Sequence, residues 1–248
     1  MWVVPVIVGV VLFLAHVAPF PFLLDWTNDD VAMWEAPPAD DDKPGVPVVY
    51  LTFDDGPNPT ATPALLDVLA KHRVQATFFI IDSHLTPETV PIVRRAAAEG
   101  HGIALHADSR ALARLPAEEV EAALAAAEGR LRDLAGVQAC PAFRPHAGAR
   151  SASMVTALRR SGRRLVGWGL LLWDWDWGRR KRPARLVKRF AERAEAGSIL
   201  VLHDGHHQNP RADRAYVVET VDLLIPALRE KGLEFDTVCD VVADGREQ

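Results

Sequence analysis

From Val46 onward, short apolar runs alternate with longer stretches in which leucine, valine and alanine recur every three or four residues. The runs Val46–Phe53, Ala76–Ile81, Gly102–Leu105, Ala142–Phe143, Arg164–Leu170, Ser198–Leu202 and Leu233–Asp236 have the length and near-continuous hydrophobicity of strands buried on both faces. Helical spacing fills the intervals. It fits Thr62–His72, with leucines at 65, 66 and 69, and Glu88–Glu99, closed by Gly100. It also fits an Ala- and Glu-rich stretch from Pro116 to Leu134, then Ser151–Ser161, Ala184–Ala196 and Tyr216–Lys231, closed by Gly232. Seven strands, most followed by a helix, predict an α/β fold with a parallel barrel or a doubly wound sheet. No internal repeat or low-complexity tract interrupts it.

The first 24 residues break this rhythm. They are mostly Val, Leu, Ile, Phe and Ala, with no Asp, Glu, Lys or Arg. As a helix they span about 36 Å, enough to cross a hydrocarbon core. No basic n-region and no small-x-small cleavage site accompanies them, so an uncleaved anchor is preferred over a signal peptide. The flank that follows is acidic, so the amino terminus is the nearest positive charge. That favours an inside terminus and an extracytoplasmic domain, a single-pass protein of the cell membrane. Residues 25–45, acidic and broken by Pro37, Pro38, Pro44 and Gly45, predict a linker, and 46–242 the folded domain.

Composition changes this picture little. A net charge of -5 leaves no nucleic-acid footprint. Cys140 and Cys239 are the only cysteines, too few for a disulfide framework, and are expected to be two separate buried thiols.

Candidate chemistry gathers at the strand ends, where parallel α/β folds keep their sites. Asp54 and Asp55 follow the first run, His106 the third, Arg144 the fourth, and His203 the sixth, with Asp174 on the loop after the fifth. Adjacent carboxylates stay ionised together only when a cation lies between them or their pKa values separate. One carboxylate as metal ligand and one as proton acceptor is a natural division. A histidine from a nearby strand suits the same ion, and such an ion acidifies water and polarises a carbonyl. His203, across the rim, is placed to protonate a leaving group.

The motif Thr52-Phe53-Asp54-Asp55-Gly56-Pro57, with Asn58-Pro59, Thr62-Pro63 and Ala76-Thr77-Phe78-Phe79, resembles the first signature of polysaccharide deacetylases with the NodB homology domain, carbohydrate esterase family 4. The resemblance runs over roughly residues 46 to 240. It implies a distorted (β/α)7 barrel and metal-dependent removal of acetyl groups from carbohydrate, with zinc the expected ion. It makes Asp54 the catalytic base and Asp55 a metal ligand. The second signature pairs two histidines four positions apart. Gly100-His101-Gly102-Ile103-Ala104-Leu105-His106 sets its register, so His106 is the first metal-binding histidine. Arg110 stands at the second position, and a guanidinium has no lone pair to give.

Phe143-Arg144-Pro145-His146-Ala147-Gly148 resembles the third signature. Arg144 then orients the base, Ala147 offers a backbone N–H to the oxyanion, and His146, where the family has proline, faces substrate. Trp168 sets the fourth register onto Asp174-Trp175, with Asp176-Trp177 as the alternative. Asp174 is expected to pair with Arg144 and Trp175 to wall the pocket. Ile199-Leu200-Val201-Leu202-His203-Asp204-Gly205 resembles the fifth, with His203 as general acid. His206 and His207 lie just beyond, on a loop that could lend the lost nitrogen; Asp108 is another candidate. The expected partners are an acetylated glycan polymer, such as peptidoglycan or a chitin-like chain, and the membrane. The alternative is a carbohydrate-binding pseudoenzyme with the Arg110 guanidinium in the metal site. The basic run Arg179-Arg180-Lys181-Arg182, with Arg185, Lys188 and Arg189, reads as a solvated helix face.

Overall fold

A computed structural model describes residues 4–10, 30–36, 46–167, 169–171 and 182–243. Trp168, Asp174, Trp175, Asp176 and Trp177, most of the apolar segment 1–24 and the start of the basic run lie outside them. Among the described residues no helix is long and apolar enough to cross a membrane.

Among the described residues nine strands make one parallel sheet: β1 (Ala32–Met33), β2 (Val48–Gly56), β3 (Thr77–Ile80), β4 (Gly102–His106), β5 (Ala142–Arg144), β6 (Arg164–Val166), β7 (Leu170–Leu171), β8 (Ile199–His203) and β9 (Glu234–Asp236). Their order is β1-β6-β5-β4-β3-β2-β8-β7, with β9 beside β2. Parallel neighbours need crossovers, and the helices supply them. These are α1 (Ala61–His72), α2 (Val90–Ala98), α3 (Ala117–Ala135), α4 (Ala152–Arg160), α5 (Pro183–Arg193) and α6 (Ala215–Arg229). A short α7 (Val238–Ala243) follows β9. Helix starts and stops follow local chemistry. Asn58 Oδ1 accepts from the N–H groups of Thr60 and Ala61 ahead of α1, and left-handed Gly136 ends α3.

The sheet must curl. β6 lies next to one edge strand and β7 is the other, yet only residues 167–169 join them. The single apolar run expected from Arg164 to Leu170 is therefore two strands on opposite sides of a seam. Residues 31–36, expected to be linker, fill that seam. Ala32 and Met33 pair with Leu165 and Val166, and the Ala36 N–H donates to the Gly197 carbonyl at 2.9 Å. A Cβ on Gly167 would lie 2.1 Å from the Trp34 ring, and one on Gly197 would lie 2.7 Å from the Ala36 carbonyl. The glycines let this strap lie against the sheet, a close approach no sequence periodicity announces.

Strand parity sorts the side chains. Val49, Leu51, Phe53, Phe78, Ile80, Ile103, Leu105, Leu200 and Leu202 pack outward beneath the helices. Tyr50, Phe79, Ala104, Ala142, Val166 and Ile199 pack inside the curl with Met33 and with Val238, Val241 and Val242 of α7. The same parity aims Thr52, Asp54, His106, Arg144 and His203 inward at the carboxyl ends of their strands.

α7 plugs the opposite end and corrects the cysteine expectation. Cys239 on α7 and Cys140 before β5 form a disulfide, with Cα atoms 5.6 Å apart across 99 residues of sequence. A Cβ on Gly102 would lie 2.6 Å from the Cys239 sulfur, so β4 carries glycine where the bridge passes. Separation along the chain hid this contact, because curling brings the starts of β4 and β5 under the last helix. A loop of this length makes the bridge worth about 4–5 kcal/mol in chain entropy.

Candidate active site

The rim begins with a fault in β2. Asp54 is in register with Phe79 and Gly56 with Ile80, so Asp55 is an inserted residue, in the left-handed region at φ 68°. Regular alternation would send Asp55 to the face opposite Asp54. The bulge turns both carboxylates towards one end of the sheet, the usual purpose of a bulge beside a site. A left-handed non-glycine residue costs about 1–2 kcal/mol. Ala147, at φ 50°, is the second such residue on the rim. A Cβ on Gly205 would lie 1.9 Å from the Asp55 carbonyl, and one on Gly56 would lie 2.5 Å from Asp204 Oδ2. Two chain segments cross here at a distance only glycine allows.

Asp54 is held firmly. Fully buried Arg144 donates through Nη1 to Asp54 Oδ1 at 2.6 Å and to Thr52 Oγ1 at 2.9 Å. Its Nε and Nη2 reach the Val166 and Gly167 carbonyls at 3.1 and 2.9 Å, and its plane lies 3.9 Å over the Phe79 ring. Thr52 Oγ1 passes its own proton to the Leu200 carbonyl at 2.9 Å. The guanidinium is thus pinned on β2 and the end of β6, and a buried ion pair so furnished is rigid.

Asp55 is held differently. His106 Nδ1 lies 2.8 Å from the Arg144 carbonyl. That carbonyl only accepts, so Nδ1 carries a proton, and Nε2 lies 3.4 Å from Asp55 Oδ1. Asp55 Oδ1 is buried without a hydrogen bond, as is His146 Nδ1. Burial pushes the Asp55 carboxyl up, but the imidazoles of His106, His203 and His146 outweigh it and hold the group well below the usual carboxylate range. Burial, then the His106 ring, bring His146 down to about 4. Asp55, His146 and His207 each offer a ligand atom, all within 4.8 Å of one another, the one such group among the described residues. An ionised carboxylate with two imidazoles suits zinc or a similar divalent cation, and the two orphaned buried atoms fit a cation as partner. Each costs about 1–3 kcal/mol if left unsatisfied.

Asp54, Asp55, His106, Arg144, His146, Ala147 and His203 therefore share one rim. Asp174 and Trp175 lie outside the described residues, so the expected pairing of Asp174 with Arg144 is not described; the seen partner of Arg144 is Asp54. Arg110 is exposed at the start of a 3-10 turn and pairs with neither Asp54 nor Asp55 among the described residues. That placement does not favour the alternative that puts its guanidinium in the cation site. Asp108 is exposed as well.

Three residues escaped the sequence reading. Buried Asp204 accepts a short hydrogen bond from Thr62. Burial, with Asp55 and Asp54 nearby, pushes its carboxyl up to about 7. Buried His84 donates through Nδ1 to the Asp55 carbonyl at 3.1 Å. Arg214 Nε donates to the Gly205 carbonyl at 2.7 Å, fixing the loop after β8. The Asp204-Gly205 doublet after His203 was the only available signal, and it reads equally as a turn.

The polysaccharide deacetylase family model matches residues 41–166. A chitooligosaccharide deacetylase of Sinorhizobium fredii is 35% identical over 201 residues, 76% of this chain and 88% of its own. A peptidoglycan-N-acetylglucosamine deacetylase of Bacillus cereus is 28% identical over 79% of this chain and 88% of its own. Among solved structures, a family 4 acetyl xylan esterase from Clostridium thermocellum in complex with a cobalt ion aligns at TM-score 0.69 and 27% identity, over 79% of this chain and 90% of that one. With the curled parallel sheet and the paired carboxylates at its rim, these likenesses identify the chain as a member of the polysaccharide deacetylase family.

Proposed function

We propose that this protein removes acetyl groups from an N-acetylated glycan, a chitin-like oligomer or peptidoglycan, by cation-assisted hydrolysis. One observation carries the reading. Asp54 and Asp55 stand side by side on the rim, one locked to Arg144 at 2.6 Å, the other facing imidazoles. That is the split between a proton acceptor and a cation ligand. Asp55 and His106 hold the ion in this reading, with Arg110 at the family's second histidine position. A divalent ion, zinc foremost, polarises the acetyl carbonyl and acidifies water when bound. Asp54, aimed by Arg144, takes the proton of the attacking water. The Ala147 N–H donates to the developing oxyanion. His203 protonates the departing amine. Asp174 and Trp175 keep the roles their motif implies, tuning Arg144 and walling the pocket.

The disulfide supports an oxidising, extracytoplasmic setting, and the apolar first 24 residues support an anchor in the cell membrane. Acetate release from N-acetylglucosamine oligomers, measured on the zinc-supplemented protein and on Asp54→Asn, tests the activity. Release by the first and its loss in the second is the expected result. No release from oligomers or peptidoglycan by the zinc-supplemented protein would overturn the reading.

A further inference from the structure

We propose that His146 and His207 ligate the cation together with Asp55, supplying the nitrogen that Arg110 cannot. The inference rests on the deacetylase reading of this rim and deepens it: the ligand set has moved from the loop after β4 to the loops after β5 and β8. Ligand atoms of Asp55, His146 and His207 lie within 4.8 Å of one another. Metal–ligand bonds of about 2 Å would bring them slightly closer, within reach of small side-chain rotations. Asp55 Oδ1 and His146 Nδ1 are buried with no hydrogen bond, and the one ion-pair contact of Asp55 Oδ1 is His106 Nε2 at 3.4 Å. The His146 and His207 rings are already 4.5 Å apart, centre to centre.

Both loops hold their histidines in place. His146 follows Pro145, one residue after Arg144, whose side chain is bonded to β2 and to the end of β6. His206 Nδ1 accepts from the N–H groups of Gln208 and Asn209 at 3.1 and 3.2 Å, which folds the turn carrying His207. Asn58 Nδ2 donates to the Ala212 carbonyl at 2.9 Å and ties the end of that loop to the β2 side of the rim. His206 thus shapes the loop and His207 reaches the cluster. Arg110 is exposed and forms no ion pair with Asp55 among the described residues.

The test is zinc binding by the full-length protein, stripped of metal and titrated calorimetrically beside His146→Gln and His207→Gln. Ligands predict that each substitution lowers zinc affinity more than about 100-fold, beyond the 10–100-fold expected of a merely supporting residue. Smaller losses overturn the proposal, as does an unsubstituted protein that binds no zinc. Long-range proton–nitrogen spectra of the unsubstituted protein decide independently of how the variants fold. Zinc must shift the ring nitrogens of His146 and His207, and unmoved resonances overturn the assignment. Acetate release separates the two readings. Zinc held by both histidines without acetate release sinks the deacetylase reading alone. Acetate release with zinc affinity intact in both variants sinks this inference alone.

Discussion

On one side of the rim, Asp54 is gripped by a buried guanidinium that is itself tied to the end of β6. On the other, Asp55 faces His106, His146 and His207, and Asp55 Oδ1 and His146 Nδ1 are buried there without a hydrogen bond. The two carboxylates are neighbours in sequence and equally buried, so composition and depth do not separate them. What differs is saturation. A proton acceptor works by being aimed, which a fixed Arg does; a cation ligand keeps its lone pairs for the ion.

The contrast is breakable. The largest effect is expected from Arg144→Ala, which leaves Asp54 buried and unpaired: about 3–5 kcal/mol of stability lost in denaturant unfolding. A loss below about 1 kcal/mol would show that the grip on Asp54 is not structural. Asp54→Asn keeps the shape and removes the base, so acetate release should fall about 10²–10⁴-fold while zinc affinity, set on the Asp55 side, changes far less. Equal loss of both would merge the two sides into one unit.

Far from the rim, Cys140→Ser should lower stability by about 2–5 kcal/mol and leave the kcat of the folded protein unchanged. Asp204, behind Asp55, gives a pH signature. Its carboxyl titrates near 7 in the fold and near about 4 in the unfolded chain. The native state therefore binds the proton more tightly. The associated stability is complete below about pH 4 and is lost as pH rises to about 7, at up to about 1.4 kcal/mol per pH unit. Asp204→Asn, which still accepts from Thr62, should flatten that slope; an unchanged slope would place the titration elsewhere. The smallest effect is expected from Arg110→Ala, within about 0.5 kcal/mol, because the side chain is exposed. A drop of several kcal/mol would mean that the guanidinium neutralises the carboxylates after all.

Most of the architecture was legible in the hydrophobic pattern. Every strand-like run from 46 onward contains a strand, and all six helical stretches contain helices, because a strand covered on both faces must be apolar throughout and an amphipathic helix must repeat at its own period. The strap 31–36 was read as linker because its acidic, proline-rich surroundings conceal a two-residue strand. The disulfide was missed because contact across 99 residues leaves no local trace.

At the site, the sequence by itself determined which ionisable residues stand at strand ends, and parity then aims Asp54, His106, Arg144 and His203 inward. Tertiary structure decided the rest. A single inserted residue in β2 re-aims Asp55, and only the curl of the sheet brings the loops after β5 and β8 together, so that His146 and His207 meet the same carboxylate. Spacing along a strand is a local property written in the residues; proximity between loops some sixty positions apart exists only once the sheet has closed.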